Sequence, residues 1–480
     1  MFRRFMQNTR RGIMFTEEAE RLSRYILAED SEIEFRIRSG TEMYRKGFGH
    51  FVLKDAEGGE VAGATIRLKQ KTHEYKFGCN AFMIDSFPEK EQNERYEKVF
   101  GSLFNLAVVP FYWSDLEPEQ GKTRFTKESP FIYRRPAPDR VLEFCGKYGI
   151  MPKGHPLCWH NFWPGWVPNN TKDVMRLLEK RFEEISERYR DKIPVWDAVN
   201  EAQTLHPSCR KNAPPLPPDY VEQVFHLADR FFPDNRKLYN DDSTWWNFQG
   251  DYTPVYLLVR HLLERGCKVG GLGLQYHMFG NMTGDNCIGV NRPLNPRCIL
   301  QCLDQYQKLG IPVNFSEVSV ISRRDLGDGD RFQELVAEKL YRLWFSHPAT
   351  EAIVWWNMVD GTAAYAPLGS EEGENSLRAG LVNYDFTPKP AFRALERLIK
   401  REWHTETVLE YRAGADNRFH GFYGKYDAEI ETEHGRECRE FDLSRFSGNE
   451  FNFMIKYLCP VFAAIILISS VANAFGIIKM

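Results

Sequence analysis

The sequence predicts an α/β protein of the (β/α)8 class, a TIM barrel, with a small β-rich layer at its N-terminus. From about residue 73 onward, short apolar runs alternate with longer amphipathic segments, and this unit repeats eight times. Repeated β/α units imply parallel strands, and eight of them over roughly 330 residues suit a closed barrel better than an open sheet. We therefore divide the chain into an N-terminal segment, the barrel, a polar C-terminal extension and an apolar tail, at residues 1–72, 73–402, 403–453 and 454–480.

Each predicted barrel strand is followed by a predicted helix. The strands are expected within FGCNAFMI, LAVVPFYW, MPKGHPLCW, IPVWDAVNE, KLYNDD, VGGLGLQYHMF, IPVNFSEV and AIVWWNM. The helices are expected near residues 91–104, 138–147, 172–189, 218–231, 252–265, 295–309, 331–345 and 390–400. Pro138 at the start of the second helix and Gly149 just after it are typical helix-boundary residues.

Ahead of the barrel, residues 33–70 are predicted to form antiparallel strands. The segments FRIR, FVLK and ATIRLK alternate apolar with polar residues or carry β-branched side chains. Turns that contain glycine follow Asp55 and Val61 and separate these segments. We expect them to form the small β-rich layer.

The C-terminal tail contains an apolar run at residues 458–475, which is close to the lower length limit for a membrane span. Three interpretations are open: a membrane anchor, a buried helix, or a segment joined at a gene boundary and unrelated to the fold. The third is preferred because nothing in a barrel requires another helix, so a chain ending near Arg445 is expected to be soluble and active. The N-terminus lacks a signal peptide, which predicts a cytoplasmic protein that contacts membranes only if the tail is an anchor.

The composition excludes several classes of function. The 63 Lys and Arg nearly balance the 66 Asp and Glu, so the chain lacks the basic field of a nucleic-acid-binding protein. Cys298 and Cys302 are the closest cysteine pair and have no further ligands nearby, so we expect neither a metal nor a cofactor. Aromatic residues make up 14% of the chain, and although most fill the core, flat rings also stack on sugars.

Polar residues gather where the predicted strands end, which is the face that carries the active site in such barrels. Singly, each would more often be a core or solvated residue, so their co-location is the signal. His155 and Trp159 share one face of their strand, whereas His160 does not share it, which disfavours a two-histidine metal site. The strand ends carry His155, Trp159, Asn200, Glu201, Gln275, His277, Glu317 and Trp356.

Two of these residues, Glu201 and Glu317, follow strands four and seven and have the chemistry that glycoside hydrolysis needs. One carboxylic acid protonates the leaving oxygen, and the other attacks the anomeric carbon. Amide and imidazole groups can hold sugar hydroxyls, and indole rings can floor the subsites. The sequence therefore predicts a glycoside hydrolase whose partner is an oligo- or polysaccharide.

The motifs around these residues resemble glycoside hydrolase family 10, the endo-β-1,4-xylanase family. The matching stretches occur in family order over residues 73–400 and are WSDLEPEQG, GHPLCWH, WDAVNE, KLYND, GLQYH, FSE and PKPAF. The resemblance implies retaining cleavage of β-1,4-linked xylan or xylo-oligosaccharides, with Glu201 as the acid/base and Glu317 as the nucleophile. It also implies that Asn200 bonds the sugar 2-hydroxyl, that His277 orients the nucleophile, and that the reacting subsite is lined by His155, Trp159, Gln275 and Trp356.

Strand two departs from the family pattern. The Asn and Lys that the family usually has on this strand are Val109 and Tyr112 here. Strand seven also departs, because the Asp that usually lies two residues after the nucleophile is Ser319. We expect Tyr112 to contact substrate with its ring and hydroxyl and activity on unsubstituted xylan to be low. Alternatively, Tyr112 points into the barrel wall and a loop residue replaces the lost contacts.

Two other functions stay open from the sequence. One is a carbohydrate-binding barrel without turnover, which the altered strand two allows but which does not need paired carboxylates. The other is a β-glycosidase that acts on a β-glycan other than xylan.

Overall fold

The computed structural model describes residues 15–203, 215–242, 253–278, 292–445 and 449–454. The chain divides into two compact units, one made of Met1–Tyr44 with Tyr75–Glu402 and the other of Arg45–Glu74 with Trp403–Met480. This grouping differs from the segments taken from the sequence at 1–72 and 403–453. Strands from both of those segments pair in the same sheets, so the second unit is assembled from the two ends of the chain.

Two helices, α1 (Glu17–Ser23) and α2 (Ser31–Arg45), precede the first strand. Thr16 caps α1, with its hydroxyl accepting a hydrogen bond from the Ala19 amide at 3.4 Å. The Asp30 carboxylate accepts bonds from the first amides of α2 at 3.1 and 3.3 Å. Both are N-cap arrangements, which satisfy amides that have no partner within the helix.

The predicted strand at FRIR is wrong, because these residues lie inside α2. Ile33 and Ile37 are buried, while Phe35 between them is 58% exposed. The buried apolar residues are therefore four positions apart, as on one face of a helix, and not two positions apart, as on one face of a strand. The other two segments are strands as predicted, in β1 (Lys46–Lys54) and β2 (Gly63–His73).

The predicted barrel is confirmed, and all its strands are parallel. Their order in the sheet is β5-β4-β3-β11-β10-β9-β8-β7-β6, and β5 also pairs with β7, which closes the barrel. The short strands β5 and β6 together occupy the third position. The strands are β3 (Lys76–Asn80), β4 (Leu106–Pro110), β5 (Met151–His155), β6 (Cys158–Trp159), β7 (Val195–Asn200), β8 (Arg236–Asp241), β9 (Gly271–His277), β10 (Val313–Ser319) and β11 (Thr350–Trp355).

Helices follow the barrel strands at the predicted places. The helix that begins at Pro138 ends at a left-handed Gly149, with φ of 64°. A short 3-10 turn, Gln307–Leu309, extends the sixth predicted helix, and a π-helical turn, Leu398–Glu402, extends the eighth. The helices are α3 (Lys90–Leu103), α4 (Trp113–Leu116), α5 (Pro138–Tyr148), α6 (Thr171–Tyr189), α7 (Tyr220–Phe231), α8 (Pro254–Glu264), α9 (Pro296–Tyr306), α10 (Gly329–Ser346) and α11 (Pro390–Arg397).

The core between strands and helices holds the site residues in place. In β10 every residue is buried, as expected for a parallel strand covered on both faces. The Phe315 ring of β10 stacks on Trp344 of α10, with ring centroids 4.0 Å apart. Glu317 lies two residues further along the same strand, so this packing fixes the base from which its side chain projects.

The second unit contains two sheets around one hydrophobic cluster. One sheet has the order β13-β1-β16, and the other has the order β12-β2-β14-β15. Residues from both sheets, including Phe51, Ile66, Tyr426 and Leu443, are buried in the cluster. The extension that looked merely polar in the sequence thus contains β12 (Glu406–Arg412), β13 (Arg418–Phe422), β14 (Gly424–Thr432), β15 (Gly435–Leu443) and β16 (Glu450–Met454).

A chain that ends at Arg445 is expected to be less stable than one that ends at Met454. The shorter chain loses β16, whose Phe451 and Phe453 rings lie 5.5 and 5.9 Å from the buried Phe51 ring. Removing a fully buried aromatic side chain costs about 3–5 kcal/mol, and these partly buried rings should cost less each. Thermal unfolding followed by circular dichroism measures the difference, and equal midpoints would show that β16 adds no stability.

The apolar run at 458–475 lies outside the described residues. In the part of the chain that the structure describes, no helix combines the length and apolarity that crossing a membrane requires.

Candidate active site

The carboxyl ends of the barrel strands converge on two glutamates. Glu201 directly follows β7, and Glu317 lies near the end of β10. Glu317 is 4% exposed, whereas Glu201 is half-buried. The two carboxyl groups are close enough for the charge of Glu317 to act on Glu201.

Three side chains surround the Glu317 carboxylate. Asn240 donates from Nδ2 to Oε1 at 3.0 Å, and Nε2 of His277 lies 3.2 Å from Oε2. Nε2 of His155 lies 3.9 Å from Oε1. Both carboxylate oxygens are therefore oriented by neighbours on other strands, as a group that must attack in one direction requires.

The His277 ring is held between Glu317 and Ser319. Its Nδ1 lies 2.9 Å from the Ser319 hydroxyl oxygen. If that hydroxyl donates to Nδ1, Nε2 carries the proton and donates to Glu317, which is the tautomer that satisfies both contacts. Ser319 thus replaces the carboxylate that the family resemblance leads one to expect, and it keeps the hydrogen bond without the negative charge.

A buried ion pair holds His155. Nδ1 of His155 lies 2.8 Å from Asp197 Oδ2, and Nζ of Lys153 lies 2.9 Å from Oδ1 of the same carboxylate. Burial opposes ionisation of Asp197, but the Lys153 ammonium and the His155 ring outweigh it and hold the pKa of Asp197 below its usual value. The ionised Asp197 accepts a hydrogen bond from the Nδ1–H of His155 and turns Nε2 of that ring towards Glu317.

Glu201 occupies an environment that favours its protonated form. Burial, and then the negative charges of Asp242 and Glu317, raise the pKa of Glu201 well above its usual value. Gln275 donates from Nε2 to Oε1 at 3.0 Å and offsets part of this effect. The backbone of Glu201 is left-handed, with φ of 54°, a strained conformation for a residue with a side chain and one that is enriched at functional sites.

Asn240, at the end of β8, links the two glutamate-bearing strands. Besides its bond to Glu317, its Nδ2 donates to Asn200 Oδ1 at 2.7 Å, and its backbone oxygen accepts from the Glu201 amide at 2.7 Å. Gly273 on β9 makes room for it, since a Cβ there would collide with the Asn240 side chain. Nδ2 of Asn200 finds no acceptor among the described residues and is left to bind substrate.

Aromatic rings form a wall beside the two glutamates. Trp356 lies 5.8 Å from the His155 ring and 5.9 Å from the His277 ring. Tyr112 lies 5.7 Å from both His155 and Trp159. Nε1 of Trp159 has no acceptor among the described residues, so it can donate to a sugar hydroxyl.

The structure brings the predicted site residues together at one end of the barrel. They contact one another directly or through one intervening side chain. The set is Glu201, Glu317, His155, Trp159, Asn200, Gln275, His277, Trp356 and Tyr112. Tyr112 is buried, which agrees with the alternative that its ring belongs to the barrel wall.

Several residues of the site were missed by reasoning from the sequence. Asn240 lies in the family-like motif KLYND and near a strand end, so the criterion that identified Asn200, a polar residue at the end of a predicted strand, applies to it as well. Lys153 and Asp197 point inward from strand interiors, where polar residues must be paired and therefore warrant attention. Arg134 and Arg135 come from a loop whose position no local pattern indicates.

No group of His, Cys, Asp and Glu side chains with the geometry of a metal site occurs within the described residues. The expectation from the sequence that the site is metal-free stays a prediction.

Comparison with known proteins agrees with this geometry. The family model described as glycosyl hydrolase family 10 matches residues 70–398. Endo-1,4-beta-xylanase 2 of Arabidopsis thaliana is 26% identical over 421 residues, which is 85% of this chain but 34% of that protein. Endo-1,4-beta-xylanase B of Thermotoga neapolitana is 24% identical over 319 residues, which is 64% of this chain and 84% of that protein.

Solved structures resemble the barrel. Xylanase 10B from Thermotoga petrophila, crystallised with xylobiose, aligns with a TM-score of 0.55 and 23% identity over 68% of this chain and 95% of that one. At this identity the likeness concerns the fold. The family match covers well over half of the chain and includes both glutamates with their strand-end neighbours, and on this ground the chain belongs to glycosyl hydrolase family 10.

Proposed function

We propose that the chain cleaves β-1,4-linked xylan or xylo-oligosaccharides by a double displacement that retains the anomeric configuration. The observation that carries this proposal is the contrast between two neighbouring carboxyl groups. Glu317 is surrounded by hydrogen-bond donors, while burial and the negative charges nearby raise the pKa of Glu201 and favour its protonated form. Family membership and the xylanase names of the relatives support xylan as the substrate.

In the first step, an oxygen of Glu317 forms a bond to the anomeric carbon while the bond from that carbon to the glycosidic oxygen breaks. Glu201 donates its proton to the departing oxygen, which leaves as a neutral hydroxyl. His277 and Asn240 donate to Glu317 and hold its oxygens in the attacking orientation. The sugar is then esterified to Glu317, and Glu201 is ionised.

In the second step, water attacks the anomeric carbon and the ester bond to Glu317 breaks. Glu201 now acts as the base and accepts a proton from that water. Two inversions at the same carbon restore the original configuration. Nδ2 of Asn200, which has no acceptor among the described residues, is available to donate to a hydroxyl of the reacting sugar, and the rings of Trp159 and Trp356 would border that sugar.

A mechanism-based label tests the proposal. A 2-fluoro-xylobioside with a good leaving group should add the mass of one fluorinated disaccharide to Glu317, detectable by peptide mass spectrometry. Proton NMR of early hydrolysis should show the β-anomer first. No adduct and no hydrolysis would overturn the proposal in favour of a barrel that binds glycans without turnover. Cleavage of another β-glycan but not of xylan, in a panel digest, would keep the mechanism and replace the substrate.

The Asp242→Asn variant should shift the alkaline limb of the pH profile of kcat/KM to lower pH. The negative charge of Asp242 is the second cause, after burial, of the raised pKa of Glu201. Removing that charge lowers this pKa, so Glu201 loses its catalytic proton at a lower pH. Asp191→Asn removes a charge from a side chain that is 91% exposed and serves as the control. An unchanged alkaline limb in Asp242→Asn would contradict the assignment of Glu201 as the acid.

A further inference from the structure

The loop between α4 and α5 places two consecutive arginines, Arg134 and Arg135, beside the aromatic wall. Both guanidinium groups lie near the face of Phe82, at 5.8 and 5.6 Å from the ring centre. Arg134 has a left-handed backbone with φ of 60°, so the chain adopts a strained conformation to hold the pair here. The two arginines bear on which substrates the site prefers, an inference that rests on the proposed function.

Arg134 is a buried cation that forms no ion pair with any described residue. Arg134 is 3% exposed. Its Nη2 donates to Asn357 Oδ1 at 2.9 Å, and its Nη1 donates to the backbone oxygen of Thr362. Nε has no acceptor among the described residues. The Glu374 carboxyl is near enough to act on this charge, and burial raises the pKa of Glu374. A buried charge left in this state is costly unless a ligand compensates it.

Arg135 presents the second cation on the surface of the wall. Its guanidinium lies 3.9 Å from the centre of the Tyr112 ring, with the side chain 12% exposed. Nε donates to Asp115 Oδ2 at 2.7 Å, and Nη1 donates to the Arg134 backbone oxygen at 3.0 Å. No hydrogen bond from Nη2 occurs within the described residues. Among the described residues the two neighbouring cations have one ion pair, that between Arg135 and Asp115, so the guanidinium charge of Arg134 is left without one.

This charge lies close to the reacting centre. Tyr112, under the Arg135 guanidinium, packs on His155, whose Nε2 is 3.9 Å from the Glu317 carboxylate. Asn357, which accepts from Arg134, directly follows Trp356 in the chain. A sugar bound next to the cleaved linkage would thus lie against the aromatic wall, close to the two guanidinium groups.

We propose that Arg134 and Arg135 form a subsite for an acidic sugar, so that the favoured substrate is a xylan-type β-glycan bearing a uronic acid branch beside the cleaved linkage. The planar guanidinium of Arg135 matches a carboxylate in shape and charge. The Tyr112 ring beneath it fixes its orientation. The charge of Arg134 adds a favourable potential from behind, in surroundings that water screens poorly.

Binding to a catalytically silent variant tests this subsite. Glu317→Gln is titrated by calorimetry with two oligosaccharides of the same xylose backbone, one unbranched and one with a single glucuronic acid branch. A charge-assisted contact should make the acidic one bind roughly tenfold tighter or more. The preference should shrink as salt is raised. Equal affinity for the two would overturn the proposal.

Two variants and one altered ligand isolate the effect of charge. Adding Arg135→Gln to the Glu317→Gln variant should reduce the preference to about twofold or less, because the guanidinium donor is lost. Adding Arg140→Gln should leave it unchanged, since that arginine has a similar side-chain exposure of 22% but is already paired with Asp85 and Glu97. A branched oligosaccharide whose carboxyl group has been reduced to an alcohol should bind like the unbranched one, which tests the idea without any change in the arginines. Persistence of the preference in the Arg135→Gln variant, or with the reduced oligosaccharide, would refute the proposal.

The outcomes separate this inference from the proposed function. Cleavage of both oligosaccharides by the unaltered chain, with equal affinities in Glu317→Gln, would overturn the acidic subsite alone. If the unaltered chain cleaves neither oligosaccharide and the Glu317→Gln variant binds neither, both the acidic subsite and the proposed function would be overturned. Free glucuronate that competes as strongly as the branched oligosaccharide would show a simple anion site in place of a glycan subsite, and would also overturn the proposal.

Discussion

The Glu317→Ala variant is expected to lose turnover on every glycoside, with kcat reduced by roughly 10⁴-fold or more. Without the carboxylate no glycosyl-enzyme can form, so a better leaving group cannot compensate. The structure supports this role because Asn240 and His277 orient both oxygens of Glu317. Steady-state rates on aryl xylobiosides with good and poor leaving groups measure the effect.

Glu351→Gln is a matched control for that variant. Glu351 lies at the start of β11, away from the carboxyl ends of the strands, and pairs with Arg236. Its replacement should leave kcat on both substrates close to that of the unaltered enzyme. A Glu317→Ala enzyme that keeps even a hundredth of its activity on the good leaving group would argue for a different nucleophile.

The Glu201→Ala variant should lose activity selectively. On substrates with poor leaving groups, loss of the proton donor should lower kcat/KM by about 10²–10⁴-fold. On substrates whose leaving group needs no proton, formation of the glycosyl-enzyme should proceed nearly normally. Its hydrolysis should then become slow, because the base that activates water is also missing.

Azide provides the decisive check on Glu201. A small anionic nucleophile needs no general base and fits the space that the deleted carboxyl leaves, so azide should accelerate Glu201→Ala and yield a β-glycosyl azide. The product can be identified by mass spectrometry and NMR. Equal losses on activated and unactivated substrates, with no rescue by azide, would contradict the assignment of Glu201 as the acid/base.

Strand two shows how the structure sharpens an expectation from the sequence. The substitutions Val109 and Tyr112 suggested weak binding of unsubstituted xylan, with a loop residue as one possible replacement. Arg135 from the following loop does lie over Tyr112, at 3.9 Å. The sequence shows that strand two lacks the usual Asn and Lys, but it does not point to Arg135. That arginine lies in the loop after α4, and no local sequence pattern indicates that this loop returns to Tyr112.

The same limit explains the error at α2. The alternation in FRIR is local and fits a strand, yet the side chains that the rest of the protein buries are Ile33 and Ile37, four residues apart. A short amphipathic segment can satisfy either period, and tertiary packing chooses between them. The C-terminal strands of the second unit were missed for a related reason, since β16 pairs with β1, which is far away in the sequence, and this pairing forms only on folding.

The barrel and its two glutamates could be predicted from the sequence alone. Eight alternations of apolar and amphipathic runs are local features, and the rule that parallel strands expose their carboxyl ends on one face placed Glu201 and Glu317 together without coordinates. The surroundings of the glutamates came only from the folded chain: Asn240, which bonds the Glu317 carboxylate and the Glu201 amide, the Lys153–Asp197 pair behind His155, and the two arginines beside the aromatic wall. Hydrogen-bond partners, burial and the pKa of Glu201 depend on residues far apart in the chain, and therefore arise only when the closed barrel brings those residues into contact.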